Sequence, residues 1–394
     1  MIDPILLRAA PPPKGSRADT RLQALDAARG AAMVLVCLSH FASVYLVPAG
    51  AARPAVWLSA VGMIATPTFI VVSGLLIGYL SDVYRSQLDA YRTQLFDRGL
   101  FLLLIGHTWL ALTDAWRAGG LSAGFKRGYI TDVIGLALLV MLPVGRRMPW
   151  RPRIWVGLGL ALLTSAVTLA WHPVGGWAEA LEETLIGSSV APLRGYTFPL
   201  LPWLGVYAAS TGLGTWLAPR LRAGRQREAG RCLALAGCGA VALAVIARGV
   251  VRIETGPSGP HLTPLNFLTT PWLKVPPSPG YLLFFGGLGL VLTGAMLAAP
   301  LVLHRWRPMR ALTLLGRNSL FAYLAQNFVY FVALYGVALP YQPAWPLLLA
   351  GSIGVVLTLA WRWERSAGNR FLTIGFPAIQ SAVRGRLRAS RASA

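Results

Sequence analysis

Residues 21–47 read RLQALDAARGAAMVLVCLSHFASVYLV, and this stretch decides the class of the protein. After Arg29 the only ionisable side chain expected to change charge near neutral pH is His40, set in an otherwise apolar run that ends at Val47. A bilayer core about 30 Å thick is crossed by roughly 20 apolar residues in a helix. The run does not alternate with period two, and backbone groups in lipid must be satisfied within the segment, so it reads as a transmembrane α-helix.

Working outward, the same criterion finds ten apolar runs: 30–47, 56–80, 98–113, 129–144, 153–171, 197–217, 232–251, 281–303, 317–338 and 344–363. The expected fold is therefore all-α, a polytopic membrane protein of about ten transmembrane helices. A tail over 1–23 precedes a membrane domain over 24–365, and a basic tail follows over 366–394. Orientation follows from the basic residues. If both termini face the cytoplasm, Arg53, Arg117, Lys126, Arg127, Arg194, Arg248, Arg252 and Lys274 lie outside, and the other 28 of the 36 lysines and arginines lie inside. Missing or adding one span would destroy this bias.

The composition agrees. The chain of 394 residues is 55% hydrophobic and 13% charged, against about 25% charged in soluble domains. A net charge of +22 would suggest nucleic acid in a soluble protein, but here the arginines fall between apolar runs and build no continuous basic face. No nucleic-acid partner is expected. Cys37, Cys232 and Cys238 all lie in apolar segments and cannot form a loop disulfide framework. The first 23 residues contain Pro11-Pro12-Pro13 and no apolar core, which argues against a cleavable signal.

Ionisable groups within spans are expensive and are functional candidates by default. Arg29 and His40 are eleven residues apart, so on a helix they point within about 20° of each other and lie about 16 Å apart along the axis. Asp26, three residues before Arg29, shares that face. His107 stands nine residues beyond Arg98 in the third span, with Asp114 on the same face near its outer end. Gln326 and Asn327 stand nine and ten residues beyond Arg317 in the ninth. His40, His107 and Gln326 are expected at one depth, lining one polar cavity if the three helices touch. Pro67 is expected to kink the second span. No Walker loop, Gly-x-Ser-x-Gly elbow, His-Glu-x-x-His or Cys-x-x-Cys occurs, and no metal is expected.

These residues resemble known membrane acyltransferases. Arg21-Leu22, Leu25-Asp26 and Arg29-Gly30 followed by His40 resemble the first helix of the acyltransferase-3 family, with its Arg-x10-His spacing. Thr66 to Gly74, Thr197 to Gly205, Asn266-Phe267-Leu268, Lys274 to Ser278 and Leu315 to Tyr323 are similar to segments of the heparan-α-glucosaminide N-acetyltransferase family and its bacterial relatives. The resemblance implies a bacterial inner-membrane enzyme that moves an acyl group, usually acetyl, from cytoplasmic acyl-CoA to a hydroxyl or amine of a sugar or glycan. It departs from the second family at Gln326, where a histidine is usual, and in the first outward loop, which has no histidine.

On this reading His40 is the base and Asp26 and Arg29 complete the catalytic stripe. His107 is a second proton carrier or acyl-histidine, and Gln326 or Asn327 is an oxyanion donor. Arg29, Arg98 and Arg317 are expected to hold CoA phosphates. Asp114, Trp203, Lys274 and Ser278 are expected on the acceptor side, with Trp177, Trp272, Glu182 and Glu183 of the outer segments. A catalytically inactive scaffold of the same fold and a transporter of a small or lipid-linked solute remain the rival readings.

Overall fold

A computed structural model of the chain describes residues 17–83, 88–187, 198–255, 263–300 and 302–366. Most of the two expected tails, together with Arg194 and His261, lies outside the described residues.

The apolar runs are helices. In chain order they are α1 Arg17–Phe41, α2 Ala52–Gly62, α3 Ala65–Val83, α4 Leu88–Phe101, α5 His107–Ala118, α6 Leu121–Phe125 and α7 Ile130–Arg147. There follow α8 Trp150–Ala170, α9 Gly176–Leu185, α10 Leu200–Arg222, α11 Gln226–Thr255, α12 Pro264–Thr269 and α13 Pro279–Ala298. The last are α14 Arg307–Arg317, α15 Ser319–Asn327, α16 Tyr335–Val337 and α17 Trp345–Arg365. The described residues contain no strand; Lys274 and Pro277 form an isolated bridge.

Among the described residues, eight helices are long and apolar enough to cross a membrane. They correspond to all the expected spans except the fourth and sixth, whose positions α7 and α10 take. The second span is α2 and α3 joined at Met63-Ile64. Pro67 is not where the helix breaks: it lies in the first turn of α3, where its missing N–H would have no helical partner in any case.

The surface is apolar where a soluble protein would be polar. Trp155 and Leu163 of α8 are 72% and 61% exposed, and Leu235 and Ile246 of α11 are 71% and 63% exposed. Buried positions include Thr66, Thr68, Thr164, Ser165, Thr168, Ser210 and Thr211, whose hydroxyls mostly bond back to their own helix. Small and hydroxyl-bearing residues at helix contacts are how membrane helices approach closely. Cys37 is buried, while Cys232 and Cys238 face outward from α11 among its apolar side chains.

One crossing positions the site. A Cβ placed on Gly30 would lie 1.8 Å from the Leu312 carbonyl oxygen, and one on Gly316 would lie 1.7 Å from that of Asp26. Only glycine permits this approach of α1 to α14. Below it, Ala24, Leu25 and Ala28 pack with Tyr79, Leu217, Leu221 and Leu297. Asp82 pairs with Arg222 at the same end of the bundle.

Candidate active site

The Gly30–Gly316 crossing brings Arg29 to the start of α15. There its guanidinium donates a hydrogen bond to Ser319 Oγ, and its Nη1 lies 3.9 Å from Asp26 Oδ1. Arg98, whose guanidinium lies 5.8 Å from the Phe101 ring centroid, is close enough to Arg29 for the two to repel. Arg317 Nη2 binds Glu364 Oε1 at 3.0 Å and lies within electrostatic reach of Asp26. Arg29 and Arg317 thus flank Asp26, and Arg98 adjoins Arg29. Tyr207, hydrogen-bonded to Ser73 at 3.3 Å, adjoins the same group.

Further along α1, the half-buried His40 meets the second contact with the ninth span. Its Nδ1 lies 2.7 Å from Gln326 Oε1. Gln326 is fully buried, and its Nε2 donates to the Tyr323 carbonyl at 3.1 Å. Turning the amide over would set oxygen against that carbonyl oxygen, so the side-chain oxygen faces His40. Nδ1 must then carry the proton, and Nε2 carries the lone pair. Phe331 packs on the imidazole with ring centroids 4.7 Å apart. Asn327 Nδ2 also donates to the Tyr323 carbonyl, at 3.1 Å.

The contact between helices expected from the sequence is present, but its chemistry differs for His107. Trp109 Nε1 of α5 donates to the Leu324 carbonyl at 3.3 Å, so α15 touches both the first and third spans. His107 itself faces α7. Its Nδ1 lies 3.1 and 3.0 Å from the two Asp132 carboxylate oxygens, and the Phe125 carbonyl also accepts a hydrogen bond from the ring. Asp132 in turn accepts the Tyr129 backbone N–H at 2.8 Å, capping α7. The histidine is a clasp between α5, the α6 corner and α7.

Of the expected acceptor residues, Trp203, Lys274 and Ser278 border the starts of α10 and α13, and Asp114 lies on α5. Asp114 accepts from Arg127 at 2.7 Å. Trp203 is fully buried edge-on to Tyr281, ring centroids 6.1 Å apart, and its indole N–H has no hydrogen-bond partner. Ser278 caps α13, donating to the Thr270 carbonyl at 2.6 Å and accepting the Tyr281 N–H at 2.9 Å. Lys274 holds its ammonium 5.4 Å from the Phe198 ring centroid. Burial lowers its pKa to about 8.

Three features escaped the sequence reading. Ser319, although within the Leu315–Tyr323 stretch, and Asp132 were not singled out. The third feature is a set of π-helical turns, Ala42–Leu46, Leu102–Gly106 and Phe328–Leu334. They begin two residues after His40, end immediately before His107 and begin immediately after Asn327. Wide turns of this kind frequently mark functional sites, because they re-aim side chains within an unbroken helix. A compositional signal for them is absent from all three stretches.

Comparisons with curated proteins and with solved structures found no match. A comparison with protein families matched residues 22–363 to an acyltransferase domain. That match runs from the basic start of α1 to the last turn of α17, and takes in both contacts between α1 and α15. The chain belongs to the acyltransferase-3 family of membrane acyltransferases.

Proposed function

We propose that this membrane acyltransferase takes an acyl group, acetyl in the first instance, from acyl-CoA and delivers it to a hydroxyl or amine of a sugar or glycan. We place it in a bacterial inner membrane with the Arg29 end in the cytoplasm. The observation that supports the reading is the hydrogen bond between His40 Nδ1 and Gln326 Oε1, which favours the tautomer whose basic nitrogen is Nε2.

The acceptor's hydroxyl gives its proton to His40 Nε2 as its oxygen attacks the thioester carbonyl. The tetrahedral intermediate then collapses, the carbon–sulfur bond breaks, and the imidazolium returns the proton to the departing thiolate. A histidine with a reference pKa near 6.5 is suited to both transfers. Gln326 is a positioning residue, because its oxygen is committed to His40 Nδ1 and its amide is anchored to the Tyr323 carbonyl. Asn327, whose amide donates to the Tyr323 carbonyl and also reaches the Tyr323 phenol, would serve as the oxyanion donor by releasing the phenol.

Arg29, Arg98 and Arg317 supply the anion site. The three arginines outnumber the two carboxylates paired with them, Asp26 and Glu364, and arginine binds phosphate oxygens through paired hydrogen bonds. CoA phosphates held there would leave the pantetheine arm to run along α1 toward His40, about 16 Å away. No step here requires a metal.

The test uses membranes containing the full chain and acetyl-CoA labelled in its acetyl group. Label is expected to move into an envelope glycan with wild-type protein and to remain on CoA with His40→Ala. Equal labelling by the two would remove His40 from the reaction. Movement of an unmodified solute across the bilayer without acetylation would make the protein a transporter.

A further inference from the structure

Between α8 and α10 lies a helix whose polarity is reversed for an aqueous surface. At about 100° per residue, Glu179, Glu182 and Glu183 of α9 fall within one arc with its C-cap Ile186, and Trp177 and Leu181 lie on the other side. The inner arc is covered: Glu182, Glu183 and Ile186 are 2%, 3% and 4% exposed. The outer side is open: Trp177 is 76% exposed, Leu181 40%, and Val174 just before the helix 100%. A helix bordering water hides its apolar stripe and shows its charges. Here the carboxylates are hidden and the tryptophan is shown.

Two further observations say what covers the outer side. α9 continues a surface already suited to lipid, because the preceding α8 exposes Trp155, Leu162 and Leu163 and leads through Trp171, itself 39% exposed. Tryptophans gather where apolar core meets headgroups. Second, the carboxylates stay turned inward although not all their oxygens are satisfied. Glu179 accepts the Gly175 N–H at 2.9 Å. Glu182 Oε1 is buried without a hydrogen bond, with His172 Nδ1 at 3.8 Å. Burial pushes the Glu182 carboxyl above its usual pKa. In water, rolling the helix over would relieve this, so the medium outside α9 must disfavour carboxylates more than the protein does.

We propose that α9 is seated in the headgroup–acyl boundary of one leaflet, with Val174, Trp177 and Leu181 in lipid and its glutamates toward the protein. That leaflet is the one opposite Arg29. α10 begins beside α9 and ends at Arg222, which pairs with Asp82 at the end where Ala24 and Ala28 pack. Helices with one apolar side bind bilayers in this plane.

The experiment uses the full chain with Cys37, Cys232 and Cys238 replaced by alanine. One cysteine is introduced at a time by Trp177→Cys, Leu181→Cys or Lys126→Cys, the last in an exposed loop. Each is labelled with a nitroxide in nanodiscs of phosphatidylcholine and phosphatidylglycerol. Collision with oxygen is expected to exceed collision with a nickel chelate at 177 and 181, with the order reversed at 126. A nickel excess at both test positions would put α9 in water and overturn the proposal. Low collision with both probes would mean protein, such as a second copy, covers the helix, and would overturn it equally. The second position serves if the first variant does not fold. Acyl transfer is not the readout, so this result is independent of the enzymatic reading.

Discussion

His40 Nδ1 and Gln326 Oε1 are 2.7 Å apart, and Gln326 is itself held by the Tyr323 carbonyl. One side chain of the ninth span therefore sets the tautomer of a histidine in the first.

Replacing His40 with alanine is expected to lower acyl transfer by about 10² to 10⁴-fold, the usual contribution of a positioned acid–base group. Gln326→Leu is expected to lower kcat by about tenfold or more while leaving the KM for acetyl-CoA near its original value. Gln326→Glu puts a carboxylate on Nδ1, which favours the imidazolium. The acidic limb of its pH–kcat/KM profile should move upward by about one unit, an effect that lost packing alone would not produce. An unmoved limb would show that Gln326 does not touch the working base.

Arg29→Lys keeps the charge but loses the fork that reaches both Ser319 and a phosphate. Its expected signature is a KM for acetyl-CoA raised about tenfold, roughly one lost charge-assisted hydrogen bond. Ser319→Ala should raise it less. Equilibrium binding of CoA to detergent-solubilised protein distinguishes this from a defect in chemistry.

Gly316→Ala would place a methyl 1.7 Å from the Asp26 carbonyl oxygen, where only backbone can yield. Overpacking of this kind costs about 1–3 kcal/mol, and pushing α14 off α1 would also separate Arg29 from Ser319. A lowered melting temperature together with a raised KM for acetyl-CoA is expected. Normal values of both would mean that the crossing is looser than described.

His107→Ala and Asp132→Asn should behave unlike His40→Ala. The pair ties α5 to the start of α7, so each change is expected to destabilise by about 1–3 kcal/mol, the usual result of leaving a buried partner unpaired. Transfer per folded molecule should remain within a few-fold of wild type. If His107→Ala instead abolishes transfer in a fully folded protein, the clasp is also part of the chemistry.

Lys274 gives a pH prediction with a definite sign. The unfolded chain holds this proton up to about pH 10.4, whereas the folded protein releases it near 8. Between these values the unfolded state binds more protons, so stability rises with pH. Below pH 8 both states are protonated, and the burden of the half-buried ammonium is fully present. Lys274→Met is therefore expected to melt higher than wild type at pH 7, and the difference should shrink toward pH 10. Parallel melting curves across that range would contradict it.

How much of this was legible beforehand depends on the kind of physics involved. The spans were legible because apolar length and basic flanks are properties of composition. The alignment of Arg29 with His40 was legible because both ride one helix. That the ninth span faces both the first and third was an assumption from sequence and became a contact at Gln326 and Trp109. The direction of His107 was not legible, because depth in a helix says nothing of direction, and its carboxylate sits 25 residues away on α7. The break at Met63-Ile64 was misplaced to Pro67, since proline signals a helix start as readily as a kink. Ser319 was invisible because a serine becomes informative only once a guanidinium is seen beside it.

The three π-helical turns carry one consequence for experiments that vary residues singly. Each holds a residue more than a regular helix of the same rise would use, so part of the site's geometry is stored as chain length rather than as side-chain identity. Deleting one residue from Ala42–Leu46 would restore an ordinary ladder, leave the chain beyond it in phase, and re-aim the side chains within the turn. A substitution scan across those five positions could leave every variant active and still miss what the segment is for.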